Sequence, residues 1–407
     1  MAEFIETIVI GAGQAGLAMS HHLAQRGREH VLLERARIAE RWRSERWDSL
    51  YFQFPNRMMR LPGHAYAGDD PDGFTHRDGV VRFITDYAMR NAAPVRCGIE
   101  VTALRRADNG RLRIETGAFA MEAANVVVAT GPYQVPKVPP AAAGLPPGIQ
   151  QVTANRYTNP GELPPGGVLV VGSGASGFQI VEDLLQQGRR VHYALRGHRR
   201  VPRSYRGRDF GIWNEQSGFT SRVARTIPPG FRPPLVTGHK GGHTANVRRL
   251  VQRGVTLLGS LRGIEDGRVF LNADLNASLD AGDEDFRATL REIDAYVERE
   301  GIDAPRDEAA EAEARTIGER VPEVEALDLA SAGITSVVWA LGYGVDFGWI
   351  ACPVRDERAT LIHDRGITRE PGLLFLGLPR MHKIKSAFLW GVGEDAEHLA
   401  EHIAGRG

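Results

Sequence analysis

The sequence predicts an α/β fold made of two parallel-sheet units, and three observations carry that expectation. A strand–glycine turn–helix pattern occurs twice, from Ile5 through Gly27 and again from Val168 through Gly188. Each copy is followed by another strand, His30 to Glu34 in the first and Arg190 to Leu195 in the second. Unalternating apolar runs recur elsewhere, as strands buried on both faces require.

The opening strand of each copy is a short apolar run, and each helix ends at a glycine suited to a left-handed C-cap, Gly27 or Gly188. Asn125 to Gly131 is a further buried strand that ends at a glycine. Pro132 to Pro147, rich in proline and glycine, reads as a crossing between domains. Ser336 to Gly342 and Leu373 to Gly377 repeat the strand-then-glycine pattern, and Gly393 to Ile403 reads as a helix. Phe286, Leu290, Ile293 and Val297 form a helical apolar stripe. Asp303 to Glu325, acidic and alanine-rich, reads as a solvated surface segment.

The chain has 407 residues, 42% hydrophobic and 25% charged, enough for two or three domains with large cores. Its 50 basic and 50 acidic residues cancel, so no global field favours nucleic acid or an anionic membrane. Small molecules are the expected partners, and a homodimer is left open. Cys97 and Cys352 form no C-x-x-C, which argues against a redox dithiol and a cysteine zinc site; no metal is expected. No apolar run approaches the roughly 20 residues of a membrane span. With low cysteine usage and no leader-like opening, a cytoplasmic location is expected.

The first turn, Gly11-Ala12-Gly13-Gln14-Ala15-Gly16, is G-x-G-x-x-G between a strand and a helix. Gly11 allows the tight bend, Gly13 lets the backbone approach a pyrophosphate, and Gly16 lets helix and strand pack closely. The helix N-terminus supplies N–H groups for phosphate. Glu34, 23 residues after Gly11 at the end of the next strand, suits a ribose diol and repels a 2′-phosphate. That chemistry fits FAD or NAD. The second turn, Gly172-Ser173-Gly174-Ala175-Ser176-Gly177, repeats the arrangement. Here Arg196 stands 24 residues after Gly172, with Arg199 and Arg200 close behind. Guanidinium at this place favours a 2′-phosphate, so NADPH is expected. The fold class is thus α/β with two Rossmann-like dinucleotide-binding domains.

Further motifs give a resemblance. Arg41-Trp42-Arg43, Arg46 to Leu50, Pro55-Asn56, Leu61-Pro62-Gly63 and Asp70 to Phe74 follow the first unit. Ala129-Thr130-Gly131, Trp339 to Tyr343 with Asp346-Phe347, Phe375 to Pro379 and Gly391 to Asp395 come later. With the two turns, the chain resembles the class B flavin-dependent monooxygenases of the flavin-containing monooxygenase type, over nearly its whole length. The resemblance implies an NADPH domain inserted into a split FAD domain. The implied boundaries are 1–155 for the first FAD part, 156–330 for the NADPH part and 331–407 for the returning FAD part. It implies Trp42 near the flavin, Asn56 in contact with flavin and nicotinamide as the catalytic candidate, and the backbone at Val101 near the adenine. Arg35 beside Glu34, Arg41, Ala129 to Gly131, Leu341 and Gly342 complete the cofactor-binding set. His382, Lys383 and Lys385 read as exposed loop charges or an anion contact. Arg203, Arg206 and Arg208 read as contacts to cofactor phosphate or between domains.

The chain departs from the family pattern at three places. Thr153 stands where the fingerprint between the domains has histidine, although Tyr157 is kept. Ala39-Glu40 replaces a glycine pair, and Leu341 replaces a threonine. The implied reaction passes hydride from NADPH to FAD, forms a flavin C4a-hydroperoxide with O2, and oxygenates a nitrogen- or sulfur-containing small molecule. The alternatives are an FAD-dependent NADPH oxidase or reductase without oxygen transfer, and an NADP(H)-sensing binding protein.

Overall fold

The computed structural model describes residues 2–228, 230–316 and 318–406. The chain opens with β1 (Glu3–Ile10), α1 (Gln14–Gln25) and β2 (His30–Glu34). A short α2 (Glu40–Ser44), α3 (Arg77–Arg90) and β3 (Val95–Cys97) follow, then a meander of β4 (Val101–Arg106), β5 (Leu112–Thr116) and β6 (Ala120–Val128). The second unit holds β7 (Gln150–Thr153), β8 (Gly167–Val171), α4 (Ala175–Gln186) and β9 (Val191–Ala194). After α5 (Phe210–Gln216) come β10 (Thr256–Leu258), β11 (Leu261–Glu265), β12 (Arg268–Leu271), α6 (Leu275–Arg299), α7 (Glu308–Arg315) and β13 (Ala326–Asp328). The chain closes with β14 (Ile334–Trp339), β15 (Leu373–Phe375) and α8 (Val392–Ala404).

The first sheet runs β3-β2-β1-β6, all parallel. β6 is long enough to hold two neighbours on one edge. Its first half pairs antiparallel with β5, Leu112 opposite Ala123, and its second half pairs parallel with β15, Phe375 opposite Val128. The second sheet, β7-β14-β8-β9-β10, is parallel throughout. Both sheets put a βαβ unit at their centre, and the crossover helices α1 and α4 bury one face against them, as in doubly wound α/β folds.

This topology corrects two expected boundaries. The strand through Ser336 lies between β7 and β8, with Val338 opposite both Val152 and Val170. It completes the second sheet and does not return to the first. Gln150–Thr153 belongs to the second sheet as well, inside the 1–155 expected for the first FAD part. A buried parallel strand is apolar on both faces, so nothing in its own residues says which sheet it joins. The return to the first sheet comes at Leu373, and α8 then packs beside α1.

The stripe expected at Phe286, Leu290, Ile293 and Val297 lies buried on α6, where it forms a satellite core with Tyr205 and Trp213. Trp47 and Leu50, from the first part of the chain, insert into the core of the second unit. Burying a side chain of that size contributes roughly 1.5–3 kcal/mol, so the two units are docked by apolar contact. Among the described residues no helix is long and apolar enough to cross a membrane.

Candidate functional site

In the first turn the N–H of Gly11 donates to the Leu33 carbonyl at 2.8 Å, joining the turn to the end of β2. Gly11 has φ +109°, and a Cβ there would lie 2.6 Å from the Ala129 carbonyl oxygen. A Cβ on Gly16 would lie 1.9 Å from the Gly11 oxygen. The second turn matches it. Gly172 (φ +135°) donates to Ala194 at 3.0 Å, its Cβ would lie 2.2 Å from the Ala340 oxygen, and that of Gly177 2.0 Å from the Gly172 oxygen. The chain's own packing therefore demands the first and third glycines. It makes no such demand of the middle ones, since a Cβ on Gly13 or Gly174 meets nothing within 4 Å. Their missing side chains leave the backbone bare towards an incoming group, which is the fit a pyrophosphate needs.

Electrostatics agree with that fit. Neither α1 nor α4 has a side-chain cap or an acidic residue in its first turn. By contrast α3, α5 and α7 are capped by His76, Asp209 and Asp307. The first-turn N–H groups at Gln14, Ala15 and Gly16, and at Ser176 and Gly177, thus stand at an open positive helix end. Ala15 sits so close to Gly377 that a Cβ on the glycine would lie 2.5 Å from its own. The Gln14 amide donates to the Ala387 carbonyl at 2.6 Å, so the returning segment is fastened to the first turn.

The acceptor at the end of β2 is oriented by the backbone. One Glu34 oxygen accepts from the Ala12 N–H at 2.9 Å and the other from the Ala36 N–H at 3.0 Å. Each oxygen keeps a second lone-pair direction for a ligand hydroxyl. The Glu34 carbonyl accepts from Ile99 N–H at 3.0 Å, which brings the start of β4 at Val101 to the same end of the sheet. Arg35 is exposed and pairs with Glu45 at 3.4 Å. Arg41 donates to Glu45 at 2.6 Å and to the Tyr133 carbonyl, and burial lowers its pKa below the usual guanidinium range. Trp42 lies half-buried where the first and second cores meet. Ala129 N–H donates to Ile10 at 2.9 Å, and Gln134 donates to the Thr130 hydroxyl at 3.0 Å and the Gly131 carbonyl at 2.7 Å.

At the second turn, Arg196 is exposed and has no hydrogen-bond or carboxylate partner among the described residues. Ser173 donates to the Gly197 carbonyl at 3.3 Å, tying the turn to the segment that carries Arg196. Leu341 packs on the second sheet's core, and the Gly342 carbonyl accepts from Lys137 N–H at 2.9 Å across the inter-unit crossing. Arg199 is largely buried, with its guanidinium 5.0 Å from the Phe231 ring, and burial lowers its pKa. Arg200 is committed elsewhere, to Asp283 at 2.7 Å and to Glu313.

Asn56 is buried and engaged at both ends. Its amide donates to the Asp70 carbonyl at 2.8 Å, and its oxygen accepts from Thr75 at 2.6 Å. One N–H remains to meet a ligand. Lys383 and Lys385 both pair with Glu394, at 2.7 and 2.5 Å, so neither is a free anion contact. Arg203 joins the units, donating to the Gln53 carbonyl at 2.9 Å and to Asp209 at 2.6 Å. Arg206 pairs with Asp294 at 2.9 Å and Arg208 donates to Gln216 at 2.8 Å. His243 pairs with Glu182 at 2.9 Å.

A hub at Asp183 escaped the sequence reading. Its two oxygens accept from Ser49 and from Tyr157, each at 2.6 Å. Burial and the neighbouring carboxylate push the Tyr157 phenol far up, so it stays a donor. The retained fingerprint tyrosine was the only signal pointing there.

The model of the pyridine nucleotide-disulphide oxidoreductase family matches residues 8–208. The uncharacterised CzcO-like oxidoreductase of Geobacillus kaustophilus is 30% identical over 407 residues, covering 99% of each chain. Indole-3-pyruvate monooxygenase YUCCA1 of Oryza sativa subsp. japonica is 32% identical over 198 residues, 46% of this chain and 47% of the relative. Among solved structures, the flavin-containing monooxygenase of Stenotrophomonas maltophilia superposes with a TM-score of 0.69 over 99% of both chains, at 17% identity. The chain belongs to the CzcO-like oxidoreductases, and it carries the two-unit α/β fold of the flavin-containing monooxygenases, as the resemblance in its sequence implied.

Proposed function

We propose that the protein is an NADPH-dependent FAD monooxygenase that oxygenates a small nitrogen- or sulfur-containing nucleophile. The observation that carries this reading is the pair of matched turns, the first followed by Glu34 at the end of β2 and the second by Arg196, two residues past the end of β9. A carboxylate accepts a ribose diol, and a guanidinium binds a 2′-phosphate. FAD supplies two-electron chemistry and oxygen activation, and NADPH supplies the hydride. The chain's own tasks are to bind, to orient and to exclude water. The bare N–H groups at Gly13 to Gly16 hold one pyrophosphate and those at Gly174 to Gly177 the other. Trp42 walls the space between the units, and Asn56 offers its remaining N–H from a fixed loop. The fold shared with flavin-containing monooxygenases and the partial match to YUCCA1 support the oxygenase reading.

A second reading, an NADPH oxidase, is favoured by Thr153. Its hydroxyl donates to Asn155 at 2.7 Å where the family has a histidine between the domains. Screening amines and sulfides for substrate-stimulated NADPH oxidation separates the two. The monooxygenase reading predicts product oxygen in proportion to NADPH consumed. Hydrogen peroxide equal to all the NADPH consumed, with every compound tried, would leave the oxidase.

A further inference from the structure

We infer that Arg232, in the loop after the second sheet's crossover, is a second guanidinium for the coenzyme's 2′-phosphate, acting with Arg196 from across the turn. This inference rests on the NADPH reading above and extends it to a residue that no glycine-turn motif points to.

The placement follows from a short parallel pairing. Arg199 stands opposite Pro234 and Arg200 opposite Leu235. Continuing that register backwards puts Gly197 opposite Arg232. The side chains bear this out, because a Cβ on Gly197 would lie 2.5 Å from one Arg232 nitrogen and 2.6 Å from its guanidinium carbon. Arg232 therefore lies directly against the residue that follows Arg196. The same Gly197 carbonyl accepts from Ser173 of the second glycine turn. The Arg232 guanidinium and the backbone that carries Arg196 thus lie beside one turn.

Neither Arg196 nor Arg232 has a carboxylate or hydrogen-bond partner among the described residues, although this surface is rich in ion pairs. Arg200, two residues past His198, has two carboxylates, and Arg248 pairs with Asp280 and Asp283. Asp285 is the acid that Arg199 and Arg232 face, and it forms no ion pair with either. Arg232 faces Asp285 without an ion pair, so a phosphate dianion held at the turn would give it a charge-assisted contact that it lacks among the described residues.

The loop is also held in place. The Phe231 ring is flanked by Arg199 at 5.0 Å and by Arg380 at 5.5 Å, and the Arg380 guanidinium donates to the Phe231 carbonyl at 3.4 Å. Fixing Phe231 from both sides sets the position of its neighbour Arg232, so less side-chain freedom is lost on binding. Gly197 has to remain glycine for the guanidinium to lie over it.

The test uses FAD-loaded protein and calorimetric titration with two probes, adenosine 2′,5′-bisphosphate (2′,5′-ADP) and 5′-AMP, which differ only in the 2′-phosphate. Unaltered enzyme should bind 2′,5′-ADP more tightly. Arg232→Ala should weaken that binding about tenfold while leaving 5′-AMP unchanged, and Arg232→Lys should recover part of the loss. FAD content and melting temperature identical to the parent show that the variant is folded. Parent-like affinity for 2′,5′-ADP in folded Arg232→Ala, with the parent still preferring that probe, overturns this inference and spares the NADPH reading. Equal affinity for both probes in the unaltered enzyme overturns both.

Discussion

Gly11 to Gly16 and Gly172 to Gly177 are two copies of one backbone device. Their closest glycine approaches, 1.9 and 2.0 Å for a Cβ on Gly16 or Gly177, are nearly the same, and their middle glycines are equally bare. They differ at and just past the end of the strand that follows. Glu34 is held by two backbone N–H groups at a half-buried rim, whereas Arg196 is exposed without a partner among the described residues. The turns' matched hydrogen bonds to Leu33 and Ala194 align Glu34 with Leu195 and Arg35 with Arg196, so the first copy has a carboxylate where the second has none, and the second has an arginine without the acid that Arg35 pairs with. On the proposed function, the backbone would bind what the two ligands share, and one side chain would read what they do not.

The largest way to break this parallel is to fill a glycine that the packing itself needs. Gly16→Val and Gly177→Val each drive a side chain into a backbone carbonyl, and each should destabilise the protein by about 3 kcal/mol or more in urea unfolding. Wild-type midpoints for either would mean that the turns do not pack as described. Filling the middle glycine separates the two sites. Gly13→Val and Gly174→Val meet open space, so both should fold to within about 1 kcal/mol of the parent. Gly13→Val should purify colourless. Gly174→Val should stay yellow, with NADPH failing to bleach it. An absorbance spectrum of each, before and after NADPH, decides the matter.

Smaller effects sharpen the contrast in how the second unit is docked. Tyr157→Phe leaves an Asp183 oxygen buried without its donor and should cost about 1–3 kcal/mol, with FAD content unchanged. The smallest effect concerns pH. The hydrogen bond that His243 donates to Glu182 raises its pKa above the usual 6.5. The group therefore contributes stability that is fully present below about pH 6.5 and is lost as pH rises through the raised value. Because His243 is more than a third exposed, screening should keep the contribution under about 1 kcal/mol. His243→Gln should flatten the stability profile on the alkaline side of neutrality, and an unchanged profile would count against the pair.

How much of this was legible in the sequence depended on whether a feature is local. The turns, the acid or base after each, and the apolar stripe of α6 are set by neighbouring residues, and they fold as their spacing says. The sheet that takes up Ile334–Trp339 is not set locally. That strand and Leu373–Phe375 read alike, an apolar run ending at a glycine, yet they join different sheets. Charge was likewise visible without its partner. Arg196, Arg199 and Arg200 form one basic run in the sequence. The fold gives Arg200 two acids from α6 and α7, turns Arg199 onto aromatic rings, and leaves Arg196 free. Those acids lie more than 80 residues downstream, at separations of 83 and 113, beyond any local pattern.

The central claim is that one side chain after each turn, Glu34 at the end of β2 and Arg196 two residues past β9, assigns the two dinucleotides. The most direct test measures FAD content, and steady-state KM for NADPH and NADH, on Arg196→Ala. A charge-assisted contact to the 2′-phosphate is worth on the order of 1.5–3 kcal/mol, so KM for NADPH should rise roughly ten- to hundred-fold. NADH should be little changed, and FAD content should stay at parent level because Glu34 serves the other turn. Equal losses with NADPH and NADH would contradict the account, since Arg196 would then be supporting the fold and not reading the phosphate.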